Sequence, residues 1–261
     1  MRDYHYDDDD VKNDHQYSWR KRYQRGYGEE SASPALKKVL DSRKKRPYAI
    51  EPFVTPEKDH VISSVEALRA HYGTPSTIAR DKVIAQLDEH CCRFITHSPF
   101  LILSSVGPSG NMDASPRGDR AGFVQVRDSH TIMIPDRVGN KRVDSLQNIV
   151  TNPGVGLLFL VPGVNETLRV NGTANISTDP SLLERFKVRD RLPVSVIVVT
   201  VNEAFLHCAK ALVRSALWNS SLHIDRSDFP TLGQMLSDQI SGLDAIETER
   251  HVQDSMRNRL Y

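Results

Sequence analysis

The sequence predicts a mainly β fold with helices: a small antiparallel barrel, helices at its ends, and one helix crossing between strands. Three observations predict it. Short apolar or β-branched runs recur at close spacing, at Phe100 to Val106, Thr131 to Pro135, Val155 to Val161, Thr167 to Ser177 and Val194 to Val201, and runs of this kind bounded by turn residues read as strands. Turn signals separate them, among them Gly107-Pro108-Ser109-Gly110 and Pro162-Gly163. Helical patterns stand before and after these runs, with one short helix between them at Val143 to Thr151. A dinucleotide fold would alternate strands and helices regularly and carry Gly-x-Gly-x-x-Gly, which this chain lacks.

The elements follow in order. Residues 1–34 are rich in Tyr, Asp, Arg and Gly and almost free of aliphatic side chains. They cannot bury enough apolar area to offset chain entropy and read as a disordered tail. Residues 35–60 read as a linker. Lys37 to Arg46 holds six cations and one acid, and Pro47, Pro52 and Pro56 keep the chain extended. The folded domain is expected over 61–240, with 241–261 as a C-terminal tail. Ser64 to Tyr72 and Ser76 to Phe94 read as helices, the second with a core stripe of Val83, Ile84, Leu87, Cys91 and Phe94. Met112 to Arg117 and Gly122 to Val126 are further short strands. Thr178-Asp179-Pro180 caps a short helix through Phe186. Glu203 to Leu217 and Leu232 to Ile240 read as helices.

Composition narrows the function classes. Across 261 residues the formal net charge is +1, so no whole-protein field favours nucleic acid or an anionic membrane. No run of about 18 apolar residues suggests a membrane span, and the opening MRDYHYDDDD has no secretory apolar core. Cys91, Cys92 and Cys208 make no CxxC pair and no disulfide framework. A cytoplasmic protein is expected. The ten histidines form no paired ligand spacing, so no metal site is expected.

The most informative stretch is Ile132 to Phe159. An apolar strand runs into Pro135-Asp136-Arg137, then Gly139-Asn140-Lys141-Arg142, and a helix opens at once. The first N–H groups of a helix are unpaired, and cations beside them make an anion site that suits phosphate. The competing reading is an exposed basic turn. Ser115-Pro116-Arg117-Gly118-Asp119 stands at another strand end or loop. Arg117 is either a bidentate phosphate donor or a loop arginine paired with Asp119. Ser115, Asp119 and His207 make a poor hydrolytic triad, because there is no GxSxG and Pro116 follows the serine. Thr167 and Arg169 share one strand face, which either meets a ligand or is simply exposed.

Taken together, Ser115 to Asp119, Asp144 to Asn148, Glu166 to Gly172 and His207 to Lys210, followed by Arg214 and Trp218, resemble the pyridoxamine 5′-phosphate oxidase-like family over roughly residues 85 to 240. They are most similar to an uncharacterised subfamily carrying SPRGD, DSLxN, ETLRVNG and HCAK. The resemblance implies an FMN-binding split β-barrel flanked by N- and C-terminal helices, a homodimer, and oxidoreductase chemistry on a small-molecule substrate, or a flavin-binding sensor or store. It places the phosphate-binding pair on Lys141 and Arg142, the preceding hydrogen-bonding residue on Asn140, and a second phosphate cation near Arg117 beside Ser115. Pro135 and Asp136 take positions near the flavin ring, Thr167 stands where the family has a flavin-facing glutamine, and Trp218 joins the cofactor site. His207 is either a proton acceptor or a helix-start histidine satisfied by backbone. The Arg-His substrate motif and terminal Arg-Leu-Ala-Pro of the true pyridoxamine phosphate oxidases are absent, with only His223 and Arg226 reminiscent of them.

Overall fold

The computed structural model describes residues 60–261. The expected tail, and all of the expected linker but its last residue, lie outside the described residues. Two compact units divide the chain. One comprises residues 62–223 and 250–261. The described part of the other is 60–61 and 224–249.

In the larger unit, α1 (Val65–Tyr72) and α2 (Thr77–Asp81) are capped by Ser64 and Ser76, and α3 (Glu89–His97) by Asp88. The single helix expected over Ser76 to Phe94 is therefore two. Asp88 ends the possibility of continuity by accepting from the Cys91 N–H at 2.7 Å. Between the helices Ile84 forms a bridge with Ala204. Of the expected stripe, Leu87 and Cys91 are buried and Ile84 and Phe94 pack on the core half-buried, Ile95 joins them, and Val83 is exposed.

The strands are β1 (Phe100–Val106), β2 (Met112–Gly118), β3 (Gln125–Asp128), β4 (Thr131–Asp136), β5 (Gly154–Leu160), β6 (Thr167–Ser177) and β7 (Ser195–His207). They form one antiparallel sheet in the order β2-β1-β5-β6-β7-β4-β3. β2 is an edge strand. Pro116 sits inside it, because an edge tolerates a missing donor, and Gly118 is its last residue, at the expected strand end. β1 and β5 alternate buried and half-exposed residues, so one sheet face is core. That core holds Leu101, Leu103, Leu157, Phe159, Leu168, Val170, Ile197 and Val199. α4 (Asp144–Thr151) closes it with Leu146 and Ile149. α5 (Pro180–Glu184) precedes Phe186, which packs on the opposite face with Met133 and Val196.

The helix expected from Glu203 does not form. β7 continues to His207, pairing Glu203 with Asn171, Phe205 with Arg169 and His207 with Thr167. Helix begins only at α6 (Lys210–Ser215). The segment's ambiguous period is settled by the ladder that β6 offers it. A register shift lies at Asn171/Gly172, where a Cβ on Gly172 would stand 2.1 Å from the Thr200 carbonyl oxygen.

In the second unit, α7 (Leu232–Gln239) is capped by Thr231. It meets the start of α8 (Ala245–Asn258) at Gly233, where a Cβ would lie 2.5 Å from the Glu249 nitrogen. Residues 241–261, expected as a tail, are thus largely helical. Asp244 supplies the start signal by accepting from the Glu247 N–H.

Candidate functional site

Register fixes which predicted residues can meet. Asp113, Ser115 and Arg117 alternate along β2 on the face shared with Leu101 and Leu103. At the near end, Asp113 accepts from the Ser145 hydroxyl at 2.5 Å, which ties β2 to the first turn of α4. Asn148 donates to the buried Ser105 hydroxyl at 3.0 Å. The Asp144-to-Asn148 motif is therefore a seam between helix and sheet. At the far end, Arg117 is ion-paired with Asp136 at the end of β4, with side-chain exposures of 18% and 11%. This pair joins two strands that are far apart in sheet order, so the sheet curls until the β2 and β4 ends meet. Arg117 pairs with Asp136 and not with Asp119, the partner that its sequence spacing suggested.

Asp119 instead holds Arg137 through Oδ2, at 3.3 Å from Nε and 3.2 Å from Nη2. Arg137 also donates to the Phe186 carbonyl at 2.8 Å. A cleft of about 190 Å³ opens here, lined by Pro116, Arg117, Gly118, Asp119, Phe123, Pro135 and Arg137. Arg117 Nε is buried without a hydrogen-bond partner, as is Ser195 Oγ, and Ser195 lies opposite Asp136 in the ladder. A buried donor left unpaired costs about 1–3 kcal/mol, so this corner of the molecule is prepared for a polar atom.

The turn after β4 carries the remaining cations. Lys141 and Val143 both adopt positive φ, 64° and 52°. Val143 is the N-cap residue of α4 and supplies no side-chain cap, so the first donors of that helix lack the usual oxygen. Asn140 Oδ1 accepts from the Arg142 N–H at 3.1 Å. The Arg142 guanidinium is 74% exposed and meets Asp144 at 2.8 Å. Lys141 is exposed. Arg117 stands on the strand whose Asp113 bonds the first turn of α4.

Thr167 and Trp218 stand elsewhere. Thr167 is buried opposite His207. Trp218 donates through Nε1 to the Val164 carbonyl at 2.9 Å, in the turn that leads into Thr167. Ladder pairing aligns Arg117 with Leu101, Phe159 and Leu168, so Thr167 lies on the opposite sheet face. It is also three strands from β2, about 14 Å. His207 ends a strand. Burial, then the charges of Arg169 and Lys82, push its pKa below 6.5.

Sequence reasoning missed Asp119 with Arg137 as a paired cleft wall, although both residues stand in segments it singled out. It also missed Tyr261, whose phenol donates to Asp119 Oδ1 at 2.7 Å. No local pattern marks a contact spanning 142 residues. Among the described residues no group of His, Cys, Asp and Glu could hold a metal ion, and no helix is long and apolar enough to cross a membrane.

A curled antiparallel sheet with flanking helices, and a cleft where its split edges meet, defines a split β-barrel. Residues 87–208, from the start of the core stripe to the end of β7, match the family model for Pyridoxamine 5'-phosphate oxidase. This segment, just under half of the chain, carries the similarity to that family. Similar solved structures include HupZ from Group A Streptococcus, with 18% identity over 46% of this chain and 93% of that one and a TM-score of 0.39. An FMN-binding protein from Syntrophomonas wolfei has 11% identity over 45% and 84%, with a TM-score of 0.35. General stress protein 26 from Bacillus anthracis has 17% identity over 44% and 88%, with a TM-score of 0.32. No curated protein matches the chain.

Proposed function

We propose that the barrel binds FMN at sites shared between two copies of the chain and acts as an oxidoreductase on a small molecule. The observation that carries this reading is the uncapped start of α4 beside Asn140, Lys141 and Arg142, where unpaired N–H groups and cations converge. The match of residues 87–208 to the pyridoxamine 5'-phosphate oxidase model supports the same cofactor.

The residues present fit the group. Lys141, Arg142 and the Asn140 amide would hold the phosphate. Ser115, midway along the same β2 face, would meet the ribityl chain. Arg117, with its orphaned Nε, and Pro135 and Asp136 would edge the ring at the cleft. Bound flavin supplies hydride chemistry. The chain's residues orient it, exclude water and fix the charges around it. In the cleft the guanidiniums are already paired with carboxylates, so they keep a fixed field and do not shuttle protons. That pairing also favours a second reading, a flavin-binding sensor or store without turnover.

The split of the predicted residues supports a dimer. The cleft is smaller than the roughly 300 Å³ at which ligand pockets usually begin, and Thr167 and Trp218 lie away from it. The outer face of β1, β5 and β7 carries Phe100, Ile102, Leu158, Leu160 and Phe205, all exposed or half-exposed. A second copy packed there by two-fold symmetry would bury this face on both chains, since such an interface is self-complementary.

The visible absorption of the purified protein tests the cofactor, and sedimentation tests the dimer. A flavin spectrum at about one per chain and twice the chain mass are expected. Colourless protein that takes up no added FMN refutes the reading. Cycling of bound flavin between reduced and oxidised forms by added NADPH or amine and oxygen separates the enzyme from the store.

A further inference from the structure

α8 fully buries no residue, and Tyr261, beyond its end, makes contacts of its own. Its contacts all run to the cleft wall or to the turn beside it. The phenol donates to Asp119 Oδ1 at 2.7 Å. The ring lies against the Arg137 guanidinium at 5.4 Å and that of Arg189 at 5.8 Å, within the range of cation–π attraction. Arg191 donates to the Tyr261 carbonyl oxygen. Asp119 is thereby saturated, since it also accepts from Arg137 and from the Arg120 N–H at 2.8 Å. Asp119 and Arg137 line the cleft with their other surfaces, and Tyr261 sits behind them.

We propose that residues 259–261 are a clasp on the cleft. Tyr261 locks the Asp119–Arg137 wall in place, and release of this one side chain lets the wall move so that ligand can enter and leave. Segments held by few buried contacts are the ones that open locally, and this one is held by one half-buried ring, its hydroxyl and the Arg191 bond to its carbonyl. Arg189 and Asp190, both at positive φ, form with Val188 and Arg191 a bridged turn that moves with the clasp. The wall itself stays paired when the clasp opens, because separating Arg137 from Asp119, 7% exposed in its side chain, would strand a charge. Tyr261 is a positioning residue.

The gating role rests on the flavin reading, so the test has one arm with ligand and one without. The full chain is compared with Tyr261→Ala and with Tyr261→Phe, which keeps the ring and loses only the hydroxyl. Without ligand, amide hydrogen exchange over 119–123 and 186–191 should speed up about tenfold in Tyr261→Ala, the scale of one lost hydrogen bond to a charged group, and less in Tyr261→Phe. With FMN as probe, association and release should both speed up about tenfold while Kd changes by less than about threefold, as expected of a gate. Unchanged exchange in Tyr261→Ala overturns the clasp. Faster release with unchanged association overturns the gate and makes Tyr261 a support of the bound state. Faster exchange in protein whose wild type binds no FMN upholds the clasp and refutes the flavin reading alone.

Discussion

Arg142 illustrates how little a residue's type says without its surroundings. Its guanidinium meets only Asp144 and is largely in water, where such a pair contributes about 0–1 kcal/mol. It is therefore free to turn to an incoming anion. A charge-assisted bond to a desolvated phosphate is worth about 1.5–3 kcal/mol. Arg142→Ala should weaken FMN about tenfold to a hundredfold and leave riboflavin, which lacks the phosphate, unaffected. Titration of both ligands into both proteins decides it, and equal loss for the two would assign Arg142 to the fold. Cys91 is the opposite case. Burial pushes its thiol up to about 12, helped by its hydrogen bond to Asp88. Cys208 is exposed. At pH 8 a thiol reagent should label Cys208 in the native protein and reach Cys91 only on unfolding. The raised thiol of Cys91 supports the fold fully below the ordinary value of 9.0 and loses that support as pH climbs toward 12. Rapid native labelling of Cys91, read by mass spectrometry, would contradict this burial.

Among elements, the pair β6 and β7 decides most. It carries the register shift at Asn171/Gly172 and holds both Thr167 and His207 at its open end. The shift lets β7 pair along its whole length while core side chains stay inward on either side of it, since a slip of one residue would turn every side chain to the other face. Gly172 is required by space and not by dihedral freedom, because a methyl there meets the Thr200 backbone at 2.1 Å. Gly172→Ala should lower stability by about 1–3 kcal/mol, visible as a drop in Tm. Gly139→Ala, where a Cβ meets nothing within 4 Å, serves as the control and should change Tm little. Equal Tm values for Gly172→Ala and wild type would show that the two strands separate at this point.

At the scale of the whole molecule, the proposed dimer would use the outer sheet face. Ile102 and Leu158 lie opposite one another on it, half-exposed, and a second copy would bury both. Leu158→Arg should yield a chain of single mass in sedimentation and lose FMN, because a site shared between copies cannot form on one. Its circular dichroism should stay native, since the side chain points away from the core. A Leu158→Arg protein that is monomeric yet binds FMN fully would break the link between assembly and site.

The sequence by itself determined the local chemistry. Alternating apolar runs and turn residues marked most strands through Ser177, with β6 over the residues expected, because a half-buried strand imposes period two whatever surrounds it; the strand expected over Gly122 to Val126 instead lies at Gln125–Asp128. The basic turn before α4 was legible for the same reason: a strand, a turn and a helix start lie within a dozen residues. Only the tertiary structure decided matters that depend on residues far apart in the chain. It turned Glu203 to His207 from helix to strand, because β6 supplied a partner ladder. It split Ser76 to Phe94, because Ile84 found Ala204. It paired Arg117 with Asp136 and Arg137 with Asp119, since curling of the sheet sets which charges meet. It also brought Tyr261 to Asp119, a contact that carries no trace in the local pattern because it is made by closure of the fold over 142 residues.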